Sequence, residues 1–170
     1  MKNGNINNND INEQLICSPV LSDKLESFAK IDLNILKDNL LENIKVLEIE
    51  LDNDFPKNIV VFQLIFCFEL FLKYKLVIFA DVVTLGDLKK YSHRIDDMVH
   101  DLVEKTSDQI YKDIESMIKK IKVDDQKIDF VNYVDFKYRF NKDGMLFLDT
   151  NVLKEKEKKI IKEVIECIKK

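Results

Sequence analysis

Both histidines of the chain and one of its two arginines fall in the stretch KKYSHRIDDMVHDL, residues 89 to 102. An imidazole can move a proton from a ribose 2′-hydroxyl, and a guanidinium can stabilise the charged phosphorane that follows, so Arg94 and His100 are the catalytic candidates for RNA cleavage without a metal. His100 is the proton-transfer residue in that scheme and Arg94 the phosphate and transition-state ligand. Six positions of helix correspond to about 600° of rotation, or about 120° from alignment, so one helix does not aim both side chains at one spot. Two copies across a dimer can.

The same stretch holds a second constellation. On a helix His93 and His100 share a face with Asp97 between them at offsets of four and three, the spacing of a metal-ligand row. A divalent site needs at least three ligands and a second shell of partners, and no further member is identifiable, so the reading is a locally hydrogen-bonded histidine at a helix start and no metal. His93 and Asp97 stand as binding residues. There is no glycine-rich phosphate loop, no G-x-S-x-G, no H-E-x-x-H and no Cys-His frame, which removes nucleotide triphosphatases and zinc hydrolases. No cofactor is expected.

Two further groups carry charge in apolar or aromatic surroundings. Glu69 and Lys73 lie four apart on a strongly apolar stretch, in the order that favours pairing, and are read as a structural buried pair because an unpaired buried charge is costly. Tyr138 and Arg139 sit in VDFKYRF, where Phe136, Tyr138 and Phe140 alternate with Lys137 and Arg139; they are binding residues if this segment contacts RNA and hairpin-rim and packing residues if it does not.

The elements that must position these residues are mostly helices. Glycine and proline together number five, about 3% against a usual 12%, so folds built on many tight turns are excluded. The periodicity predicts a first helix from Ser22 or Asp23 to about Asp52, with Leu25, Phe28, Leu36, Leu40, Ile44, Leu47 and Leu51 on its apolar stripe. A turn over Asn53 to Pro56 leads to a helix from about Lys57 to Phe79 that is apolar all round and belongs in the middle of a bundle. Asp81 to Lys90 reads as a connection containing Gly86. Ser92 is placed to cap a third helix with Ile95, Met98, Val99, Leu102 and Val103 inward, and Ser107 a fourth with Ile110, Tyr111, Ile114, Met117, Ile118 and Ile121 on one face, although the two can run on as one. Alternation over Val134 to Phe140, the turn Asn141 to Gly144 and the return Met145 to Leu148 read as a small hairpin. The last helix is expected over Asn151 to Lys169. The fold class is therefore all-α, a bundle of four to five helices with a small β-hairpin or extended insertion before the C-terminal helix.

Composition bounds the setting. With 170 residues one domain is expected, residues 20–170, after a disordered polar Asn-rich tail over 1–19 that has no signal-peptide core. The net charge of −4 argues against a protein that coats nucleic acid by bulk electrostatics. Cys17, Cys67 and Cys167 fit no disulfide frame and no C-x-x-C motif, as expected in a reducing cytoplasm. Ile59 to Ala80 is mostly apolar but contains Glu69, Lys73 and Lys75, each costing roughly 2.5–3.5 kcal/mol at a bilayer centre, so a buried helix is read and no membrane span.

ELFLK with Glu69 and Lys73, then SHRIDDMVHDL, then the aromatic-Arg segment VDFKYRF, together resemble the HEPN superfamily of prokaryotic helical domains over about Ile59 to Phe140. In that family an apolar E-x-x-x-K helix is commonly followed by a histidine at the start of the next helix, the place of His93, and often by an Arg-Tyr segment, the place of Tyr138 and Arg139. Many members are metal-independent endoribonucleases whose signature is Arg, four to six residues, then His, which Arg94 and His100 satisfy. Ile95 departs from the polar residue that usually follows the Arg. The resemblance implies a homodimer, an RNA substrate, and an antitoxin or nucleotidyltransferase partner in a defence or toxin-antitoxin system. Non-catalytic members that bind a protein or a nucleotide are the alternative it also implies.

Overall fold

A long helix with apolar side chains on every face needs neighbours on every face, and that requirement organises the molecule. The structure, a computed structural model, describes residues 29–123, 126–127, 130 and 151–170. Six helices stand among them: α1 (Leu33–Asp52), α2 (Lys57–Phe79), α3 (Leu85–Tyr91), α4 (Ile95–Thr106), α5 (Ile110–Ile118) and α6 (Glu155–Lys169). The two-residue strands β1 (Lys122–Val123) and β2 (Gln126–Lys127) pair antiparallel between α5 and α6. α2 is the axis of the bundle: α1, α4, α6 and β1 all pack on it, and α5 joins α4 to α6. Its Val60, Leu64, Phe68, Leu72 and Leu76 meet Ile44 and Leu47 of α1, Met98 and Leu102 of α4, and Ile161 and Val164 of α6 in one continuous apolar core. The chain is an all-α bundle, as its periodicity predicts.

The boundaries differ from the predicted ones where backbone hydrogen bonding competes with the apolar pattern. α1 begins at Leu33, not near Ser22 or Asp23. Asp32 is its cap, its carboxylate accepting from the amides of Asn34 and Ile35 at 2.9 and 3.4 Å. Residues 29–31 are held extended instead: Lys30 bridges Thr84, Ile31 donates to the Val83 carbonyl, and Leu85 donates to that of Ala29. The predicted connection Asp81 to Lys90 contains α3, because Thr84 and Asp87 form a reciprocal capping box. Hydrogen bonds from Lys90 and Thr84 hold the Asp87 carboxyl down at about 2.

Neither predicted serine cap starts a helix. Ser92 and Ser107 have φ of 51° and 59° and terminate α3 and α4. Asp108 takes over at α5, accepting from the Ile110 amide at 2.9 Å. The left-handed turn at Ser107 separates α4 from α5, so the two helices are not continuous. α6 begins four residues later than Asn151, at Glu155. The predicted hairpin over 134–148 and the polar tail over 1–19 lie outside the described residues. No described helix is long and apolar enough to cross a membrane.

Candidate functional site

The apolar run that makes α2 the central helix contains one carboxylate, Glu69, and burial of a charge requires an answer. Glu69 is 1% exposed. Lys73, one turn further along α2, donates to its Oε1, as the sequence spacing anticipates. The second answer comes from another part of the chain: His93, in the turn between α3 and α4, places Nδ1 3.0 Å from Glu69 Oε2 and 3.2 Å from Oε1. The imidazole is half in solvent, with 51% of its side chain exposed. It therefore latches the start of α4 onto the centre of α2.

Arg94 follows immediately and is the N-cap position of α4. Its guanidinium closes the end of the preceding helix: Nη2 donates to the Lys90 carbonyl at 2.6 Å and Nε to that of Tyr91 at 3.4 Å. Those are carbonyls that the end of a short helix leaves without intrahelical partners. Nη1 pairs with Asp97 at 2.9 Å, so Asp97 serves Arg94 and is not drawn into a row with His93 and His100. The side chain is nevertheless 61% exposed, although each of its three nitrogens meets a partner within the chain.

Further along α4, burial of Ile95, Met98, Val99 and Leu102 on α2 turns the remaining positions outward. His100 is among them, 75% exposed, with Nε2 4.0 Å from Glu104 Oε2. Asp101 accepts a 2.7 Å hydrogen bond from the Tyr91 hydroxyl, and burial together with that carboxylate pushes the phenol up to about 12, so Tyr91 stays a donor. His100, Asp101 and Glu104 could together touch an ion, but surface carboxylates gather in this way on helices that hold no metal.

Of the residues singled out by sequence, the fold thus brings Glu69, Lys73 and His93 together, and joins Arg94 to Asp97. Arg94 and His100 meet separate carboxylates, about 9 Å apart along the helix by its rise per residue. Tyr138 and Arg139 lie outside the described residues. The contact between His93 and Glu69 spans 24 positions and has no periodic signature. Its one trace in the sequence is that a buried carboxylate has two oxygens and Lys73 occupies only one of them. Cys67 is no nucleophile: burial pushes its thiol up to about 12.

No family model matches the chain, and no curated protein and no solved structure matches it significantly.

Proposed function

We propose that the chain is a HEPN-like, metal-independent endoribonuclease that acts as a homodimer in the cytoplasm, within a defence or toxin-antitoxin system, restrained by an antitoxin or nucleotidyltransferase partner. The observation that carries this reading is the pairing of a rigid anchor with open functional groups. The buried Glu69 holds α4 through His93, the residue next to Arg94, while Arg94 and His100 themselves face solvent. In the reaction the His100 imidazole accepts the proton of a ribose 2′-hydroxyl. The 2′-oxygen then attacks phosphorus, Arg94 neutralises the phosphorane, and the departing 5′-oxygen takes up a proton. The products are a 2′,3′-cyclic phosphate and a 5′-hydroxyl. Because the two side chains diverge on one helix, Arg94 of one copy works with His100 of the other.

A second reading is supported by the three contacts that Arg94 makes inside its own chain. If that guanidinium is wholly a helix cap, the domain is a HEPN-like module that binds a protein or a nucleotide without catalysis. End-labelled RNA incubated in EDTA with wild type, Arg94→Ala and His100→Ala, each shown to be folded, decides between them. The expected result is cleavage by wild type alone, leaving cyclic-phosphate ends. Absence of cleavage across several RNAs leaves the binding module, and equal cleavage by all three proteins refutes the assignment to Arg94 and His100.

A further inference from the structure

The chain carries 27 basic and 31 acidic side chains, yet one cleft of about 620 Å³ is lined by six lysines and a single carboxylate. Lys57 comes from the start of α2, Lys119, Lys120 and Lys122 from the end of α5 and β1, and Lys154 and Lys156 from the start of α6. The walls are fixed. The Lys57 amide donates to the Asn151 carbonyl at 2.8 Å, and its ammonium pairs with Glu157, the cleft's carboxylate, at 2.6 Å. Lys119 is held by Asp96 and Glu115 and stacks over the buried Phe130 ring, 5.0 Å from its centroid.

Elsewhere several lysines are neutralised by their own carboxylates, as Lys90 is by Asp87 and Lys158 by Asp54. In the cleft Lys120, Lys122, Lys154 and Lys156 take part in no ion pair among the described residues. Lys154 also acts on Glu157, so among the described residues Lys120, Lys122 and Lys156 are the lining lysines with no carboxylate partner, and a concave space lined in this way attracts multiply charged anions. The N-termini of α2 and α6 also open toward this region and add positive potential of the same sign. The volume falls within the usual range for small-molecule sites, about 300–1,000 Å³, and suits a compact ligand.

We infer that this cleft binds a compact oligophosphate, the chemistry shared by an inorganic oligophosphate and the phosphate chain of a nucleotide. The site is separate from Arg94 and His100 and does not depend on ribonuclease activity.

Calorimetric titration of the full chain in EDTA at low salt, with tripolyphosphate, ATP and an unphosphorylated RNA oligonucleotide as probes, tests it. The expected result is that tripolyphosphate and ATP bind one site, compete with each other, and weaken as salt rises. Lys120→Glu/Lys156→Glu lowers both affinities about tenfold or more, and the neutral Lys120→Gln/Lys156→Gln lowers them less, in the same direction. Lys37→Glu/Lys45→Glu, with the same change in net charge but outside the cleft, shifts them less than about twofold. Equal loss in both charge-reversed variants, binding of ATP without tripolyphosphate, or no binding by wild type overturns the inference. Tighter binding of the RNA that tripolyphosphate does not displace also overturns it, and assigns the surface to nucleic acid. If tripolyphosphate binds as expected while RNA is never cut, the cleft stands and the ribonuclease reading falls.

Discussion

Each histidine of the chain faces a glutamate, and the two pairs behave in opposite ways. His93 meets Glu69 at 3.0 Å where the carboxylate is buried, whereas His100 stands 4.0 Å from Glu104 with both side chains in solvent. A carboxylate shielded from water cannot relax when its partners leave, so the first pair is a structural latch. The second pair has water as an equal alternative on either side and holds little energy. The proposed reaction therefore assigns the chemistry to the exposed His100 and the positioning to the anchored His93. Glu50 supplies a third case, since its Oε2 is shielded from solvent with no hydrogen-bond partner among the described residues, and burial raises its pKa to about 7.

The largest effect is expected from removing the two side chains that hold the buried carboxylate. Lys73→Met/His93→Ala removes the Lys73 and His93 contacts of Glu69 and should cost about 3–5 kcal/mol of unfolding free energy in urea titration. Adding Glu69→Met to that variant should recover most of the loss, because an apolar side chain suits the surroundings of α2. No recovery would show that the latch is more than a local charge balance.

Next in size is Arg94→Ala, which removes the side-chain donor to the Lys90 carbonyl while the Tyr91 carbonyl keeps the amide of residue 94, and should cost about 1 kcal/mol. Arg94→Lys keeps the charge but not the fork, and should recover little of it.

Glu50 gives an effect of similar or smaller size that depends on pH. Its folded-state pKa lies above the unfolded value, so the folded protein holds the proton more tightly and stability falls as pH rises from about 4.5 to about 7. Glu50→Gln should flatten that slope and raise stability at pH 8 by about 1 kcal/mol, less than a fully shielded group would give, with little change at pH 4. A slope unchanged by the substitution would place the titration on another group. The smallest effect is expected at the exposed pair, where His100→Ala or Glu104→Ala should alter stability by less than about 0.5 kcal/mol.

The parts of the fold legible in the sequence are those set by side-chain periodicity. The unbroken apolar run of α2, the inward stripe of α4 and that of α6 all depend on burial along one chain segment, and all are found. The pairing of Glu69 with Lys73 was legible for the same reason, since one helical turn separates them. Helix starts were less so, because several residues compete to cap. Asp32 caps α1 directly behind the extended strap at 29–31, while Ser22 and Asp23 lie outside the described residues, and Ser92 and Ser107 adopt left-handed backbone that ends helices. Gly86 suggested a connection, but the Thr84 and Asp87 capping box makes a short helix there. The contacts of His93 with Glu69 and the gathering of six lysines join distant segments, so no local spacing encodes them.

The proposed pairing of Arg94 of one copy with His100 of another is tested directly by complementation. Arg94→Ala and His100→Ala, each inactive alone, are mixed, allowed to exchange subunits, and assayed on RNA in EDTA. Half of the dimers then combine the two variants, and each of these holds one intact site of two, so recovery of about a quarter of wild-type cleavage is expected. Confirmed exchange of subunits with no recovered cleavage would contradict a site shared between copies.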